Sequence, residues 1–196
     1  MIEFIDGIIE EKNPAFVVVN CNGIGYFLNI SLNTYGKLPD NGRAKVYTQQ
    51  VIREDAHLLF GFAEKEEREL FRLLVSVSGI GPNTARMILS AMNPVELKGS
   101  ISQNNVARLQ SIKGIGAKSA QRIIVDLRDK IDKEEILHTE ILDNSNNTAH
   151  QEALSALVML GFAKPAAQKV LTAILKQKQG SAISTEDLVK EALKSF

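Results

Sequence analysis

Residues 78–89, SGIGPNTARMIL, and residues 113–124, KGIGAKSAQRII, match at an offset of 35 in Gly-Ile-Gly, then Ala, then Ile. Each copy lies between two helical patterns, FRLLVSV and TARMILSAM in the first, NVARLQSI and SAQRIIVDL in the second. A chain written helix, Gly-x-Gly, helix twice in succession is committed to a helical unit with two sharp turns. Two glycines one residue apart let the backbone turn tightly and let another molecule come close. The helix that follows offers unpaired N–H groups and the positive end of its dipole at the same turn. Together they make a backbone anion site suited to a phosphate oxygen. On this reading Ile80 and Ile115 point inward, and Gly79, Gly81, Asn83, Thr84 and Arg86 in the first copy face phosphate. Lys113, Gly114, Gly116, Lys118, Ser119 and Arg122 do so in the second. Nothing in such a turn reads a base, so binding is expected to be independent of sequence.

The plainer reading of each copy is a tight helix–helix turn and nothing more. A third Gly-Ile-Gly, at 23–25, precedes a strand pattern, offers no helix dipole and is expected to be structural. Charge separates the cases. The chain is neutral, with 23 basic and 23 acidic residues, but residues 64–131 hold 11 basic and seven acidic groups. Both helical copies lie in that segment. A neutral chain by itself argues against a nucleic-acid binder; its one basic segment argues for one.

The flanking regions differ in pattern. Residues 1–63 read as five short strands, IEFIDGIIEE, AFVVVN, GIGYFLNIS, AKVYTQQVI and HLLFGF, parted by Asn13-Pro14, Asn22-Gly23, Pro39-Asp40-Asn41-Gly42 and Arg53-Glu54-Asp55. Five such strands imply a small OB-like barrel. From Glu64 the period becomes helical, with Leu70, Phe71, Leu74 and Val77 on one face and short helices near 83–92, 94–99, 103–110 and 117–130. Residues 132–150 are acidic, then Asn-rich, and read as a flexible linker. Residues 151–196 read as three amphipathic helices. Gly161 ends the first, Pro165 opens the second, and Ser184-x-x-Asp187 is a capping box for the third. The whole is an α+β multidomain chain.

Several chemistries are disfavoured. GIGAKS falls short of a P-loop, because Ala117 separates Gly116 from Lys118. His57, His138 and His150 are scattered and Cys21 is the one cysteine, so neither a zinc site nor a disulfide is expected. No Gly-x-Ser-x-Gly elbow occurs. No cofactor is called for. The acidic N-terminus lacks a signal peptide, and no apolar run approaches membrane-spanning length, so a cytoplasmic protein is expected.

The order barrel, paired hairpins, acidic linker and three-helix tail resembles the RuvA family, the Holliday-junction-binding subunits of the bacterial branch migration complex. The resemblance rests on YTQQVIREDAHLLFGF (47–62), EERELFRLLVSVSGIGPNTARMILS (66–90), IKGIGAKSAQRIIVDLRDKI (112–131) and EALSALVMLGF in the tail. It implies a homotetramer holding four-way junction DNA on one face, in recombination and repair, with no active site of its own. It implies that Glu54 and Asp55 form an acidic pin at the junction centre. It further implies that a UBA-like tail, around Leu160, Gly161 and Phe162, docks on the RuvB ATPase, with the RuvC resolvase as a later partner. Asn83 and Ala117 depart from the basic residues common in that family, which leaves the charge to Lys113, Lys118, Arg122 and Arg86. The helix EKEERELFRLLVSV is the candidate for subunit contacts. The competing reading is a hairpin-bearing repair glycosylase or nuclease, which wants an Asp about 20 residues past the glycines. Asp126 lies only ten past Gly116. A peptide-binding adaptor working through the tail alone is a third reading, and it gives the hairpins no purpose.

Overall fold

The computed structural model describes the backbone of residues 1–141, 145–177 and 183–196, and the side chains outside 132–148 and 176–182. The expected strands form β1 (Phe4–Lys12), β2 (Phe16–Cys21), β3 (Ile24–Ile30), β4 (Gly42–Ile52) and β5 (His57–Phe62). They close a barrel in the order β1-β2-β3-β5-β4. All ladders are antiparallel except β3 with β5. Alternation puts Ile5, Ile9, Val17, Val19, Leu28, Ile30 and Val46 inside. Gly7 lets β1 and β2 close: a Cβ there would stand 2.3 Å from the Asn20 carbonyl oxygen. The third Gly-Ile-Gly lies at the β2–β3 turn, with Asn22 and Gly23 at φ 52° and 90°, the left-handed pair that a two-residue hairpin turn uses.

One element was not expected. A short helix, α1 (Leu32–Lys37), joins β3 to β4, capped by Ser31, whose hydroxyl accepts from the Thr34 N–H. Its six residues include Gly36, and so short a run carries little helical periodicity.

The helical segment comprises α2 (Lys65–Val75), α3 (Pro82–Ala91), α4 (Pro94–Ser102), α5 (Val106–Gln110) and α6 (Ala117–Ile141). Leu70, Phe71, Leu74 and Val77 are buried as their spacing predicts. The helical core reaches into the barrel: Phe71 of α2 packs its ring 5.0 Å from Phe60 and 5.1 Å from Phe62 of β5. Strand gives way to helix at 63/64, and one core runs across that point.

Charged side chains of α2 also meet the barrel. Glu67 is fully buried and accepts from the hydroxyls of Ser31 and Thr34, the latter at 2.7 Å. Burial pushes the Glu67 carboxyl above its ordinary value, while the Ser31 and Thr34 hydrogen bonds pull the other way. Arg68 pairs with Glu3 at 2.6 Å, and Arg72 donates to Gln49 at 2.6 Å. The helix proposed for subunit contacts therefore spends its apolar face and much of its charge inside its own chain.

Contacts divide the chain into two units, Met1–Asp132 and Lys133–Phe196. Helix α6 continues beyond the expected end at 130, because the residues that follow contain neither Gly nor Pro to stop it. The side chains of the expected linker, 132–150, lie almost wholly outside the described residues, as does the backbone of 142–144.

In the second unit, α7 (Ser145–Met159), α8 (Lys164–Gln177) and α9 (Thr185–Lys194) bury Ala153, Leu157, Ala167, Leu171, Leu188 and Ala192 between them. Gly161, at φ 98°, closes α7 with its N–H on Val158 and the Phe162 N–H on Leu157, a Schellman end. Ser184 caps α9 by accepting from the Asp187 N–H at 3.2 Å, and the Asp187 carboxylate accepts from its hydroxyl.

Candidate nucleic-acid interface

The two helical Gly-Ile-Gly segments share their turn conformation and backbone hydrogen bonds. Gly79 and Gly114 both take φ 90°. The Ile80 N–H bonds to Val77 and the Ile115 N–H to Ile112, each at 3.0 Å, and both isoleucines are buried, 5% and 6% exposed. Gly81 and Gly116 each accept the first intrahelical bond, from Ala85 and Ala120, both at 2.9 Å. The likeness extends upstream of the match read from the sequence. Ser76 and Ser111, also 35 apart, end the preceding helices, and each hydroxyl bonds back to a carbonyl at 2.7 Å. Serine at both positions was the sequence signal for this.

The turns open outward. A Cβ built on Gly79, Gly81 or Gly116 would meet nothing within 4 Å. Glycine at 79 is required by its backbone angle; at 81 and 116 the fold does not require it. Behind each turn the first-turn N–H groups of a helix lack intrahelical partners. Pro82 opens α3 and has no N–H, so the first copy offers Asn83 and Thr84, while the second offers Ala117, Lys118 and Ser119.

Side-chain charge is equally uneven. Lys113 and Lys118 stand exposed at the second turn, and Ser119 is half-buried beside them. At the first, Asn83 is exposed and Thr84 half-buried. Arg86, expected to lend charge there, is occupied by the barrel: its guanidinium donates to the Ala15 carbonyl at 2.9 Å and to Asn29 at 3.5 Å. Arg122, on the second hairpin's helix, donates to the Ser78 carbonyl of the first turn at 3.3 Å. Neither partner could be read from the sequence, because a backbone carbonyl leaves no residue signature.

Arg53, Glu54 and Asp55 form the exposed β4–β5 turn, closed by the Arg53 N–H on the Ala56 carbonyl at 2.8 Å. In the second unit Leu160 is exposed beside Met159, which is 86% exposed, and the Phe162 ring stacks on Phe196 at 4.1 Å. Asp126 is exposed part-way along α6, with the helix continuing on either side. No group of three or more His, Cys, Asp or Glu able to hold a metal occurs among the described residues. Among those residues no helix is long and apolar enough to cross a membrane.

Comparison with known proteins agrees with this layout segment by segment. Residues 1–61 match the RuvA N terminal domain, 71–129 a SAM-like helix-hairpin-helix tandem, and 148–195 the RuvA C-terminal domain. The chain is 50% identical over 196 residues to a Holliday junction branch migration complex subunit RuvA of Christiangramia forsetii, covering all of both chains. It is 53% identical over 196 residues to the protein of that name from Parabacteroides distasonis, and 50% over 201 residues to that from Bacteroides fragilis. In both, the alignment covers 99% of each chain. Strands, paired hairpins and tail thus match together and in one order, and the chain belongs to the RuvA family.

Proposed function

We propose that this chain is the non-catalytic DNA-binding subunit of a branch migration complex: it binds four-way junctions by shape and brings an ATPase motor to them. The observation that carries the reading is the pair of identically bonded turns, each open to solvent in front of a helix N-terminus. Backbone N–H groups so placed bind phosphate without regard to base. Lys113 and Lys118 add charge at the second turn.

Glu54 and Asp55 act by repulsion. Carboxylates on a projecting turn keep an ordinary duplex from lying flat across the subunit, while an open junction leaves them room. The chain has no P-loop, so the motor is a separate protein, the RuvB ATPase, docked through residues 151–196 around Leu160, Gly161 and Phe162. Residues 1–63 carry the pin, 64–131 hold the DNA, and 132–150 tether the tail. Four copies surround one junction in the cytoplasm, and the RuvC resolvase acts on the same complex.

A gel-shift comparison tests the reading. The protein should bind a synthetic four-way junction far more tightly than linear duplex of the same arms, with Mg²⁺ and without ATP. Equal affinities would sink it, and strand nicking or base release by the pure chain would point to an enzyme instead.

A further inference from the structure

Residues 87 and 122 occupy the same place in the two copies, 35 apart, six residues past the second glycine of each turn. Each reaches the opposite turn. The Met87 methyl lies 3.5 Å from where a Cβ on Gly114 would stand, and the Arg122 guanidinium donates to the Ser78 carbonyl at 3.3 Å. Ser78 immediately precedes Gly79, and its counterpart Lys113 immediately precedes Gly114. Equivalent residues on the second helical turn of each copy therefore reach the other copy's turn, one at Gly114 and the other at Ser78. One brace is apolar and the other is a charged hydrogen bond.

We propose that Arg122 is a positioning residue of the DNA interface, which holds the first turn at its working distance from the second. The role differs from that of Lys118, whose ammonium is exposed at its own turn. The first copy needs such support. It has one N–H fewer in front of its helix, owing to Pro82, and Asn83 gives it no charge. An anion site built from backbone donors alone works only if those donors stay aimed. The Arg122 bond fixes the carbonyl at the entrance to that turn, and Lys130 adds a second tie from α6, to the Ser76 hydroxyl at 3.4 Å. The inference rests on the phosphate-binding role proposed for the turns, yet its first test needs no DNA.

In the full-length protein without DNA, amide hydrogen exchange should be compared between wild type and R122M, which keeps length and removes the donor. The Ile80 amide, bonded to Val77, should exchange roughly fivefold faster or more in R122M. The Ile115 amide of the second turn should be unchanged, which also shows that the variant is folded. Unchanged Ile80 exchange overturns the inference, whatever happens to DNA affinity. In DNA binding, R122M should lose junction affinity with an unaltered salt slope, whereas K118M should flatten the slope by about 0.9. A slope in R122M flattened as much as in K118M, with Ile80 still protected, would assign Arg122 to phosphate instead. A failure of the proposed function shows separately, as wild-type protein that does not distinguish junction from duplex.

Discussion

Thr34 and Glu67, 33 positions apart in the chain, share a hydrogen bond of 2.7 Å in the wall between the barrel and the hairpins. The same threonine oxygen accepts from the Ala63 N–H at the start of the helical segment, at 3.1 Å. The Leu32 N–H in turn donates to the Ser90 hydroxyl of α3 at 3.1 Å. Helix α1 is thus tied through its N-terminal turn both to a buried carboxylate and to the first hairpin.

That carboxylate gives the fold a pH dependence of unusual sign. Burial raises the Glu67 value, so its contribution to stability is fully present below the ordinary 4.5 and is lost as pH rises through the raised folded value. The urea midpoint of wild type relative to Glu67→Gln should therefore fall as the medium goes from about pH 4 to about pH 8. A difference that grows with pH would mean that the Ser31 and Thr34 hydrogen bonds outweigh burial.

Gly81 and Gly116 separate folding from binding. Neither has a left-handed φ, and a methyl group on either meets only solvent. Gly81→Ala and Gly116→Ala should leave the thermal midpoint within a degree or so of wild type, or raise it slightly. If phosphate approaches these turns, the added methyl should weaken junction binding about tenfold, some 1.4 kcal/mol. Wild-type affinity in both variants would remove the turns from the interface.

The charge asymmetry between the copies can be reversed. Asn83→Lys should steepen the dependence of log affinity on log salt by about 0.9, and Lys118→Met should flatten it by as much. The two together should restore the wild-type slope. An unchanged slope in Asn83→Lys would mean that the first turn meets no phosphate.

For the β4–β5 turn, Glu54→Gln with Asp55→Asn should tighten binding to plain duplex and lower the ratio of junction to duplex affinity. Since both side chains are exposed, stability should not change by more than about 0.5 kcal/mol. An unaltered ratio would leave the turn without a role in selectivity.

Ending the chain at Asp132 should spare junction binding and abolish stimulation of the motor, because the first unit holds both hairpins and its own core. Lost junction binding in a folded truncation would place DNA contacts in the tail.

The hairpins were legible because their geometry needs particular residues: Gly79 and Gly114 for the left-handed turn, Ile80 and Ile115 to anchor it. The barrel was legible through short runs rich in Val, Ile, Phe and Tyr, such as AFVVVN, parted by turn residues. What escaped notice had no such compulsion. Nothing in EKEERE marks Glu67 and Arg68 as buried against the barrel, since a long-range partner leaves no trace near them in sequence. For Arg86 and Arg122 the sequence shows a basic residue near a turn but not the hydrogen bonds it makes within the chain. The shortest of those bonds from each runs to a backbone carbonyl, which any sequence supplies.

The reciprocal contacts of Met87 and Arg122 have a mechanical consequence. Equivalent positions that each reach toward the other copy's turn are the arrangement an approximate two-fold relation between the copies would produce. Duplex DNA has two-fold axes of its own, which exchange its antiparallel strands. On the proposed reading, the two turns would meet the two strands of an arm through the same backbone donors but with side-chain charge mainly at the second turn. Backbone donors that read neither base nor strand would then set no direction of sliding, and the sense of travel would be left to the motor.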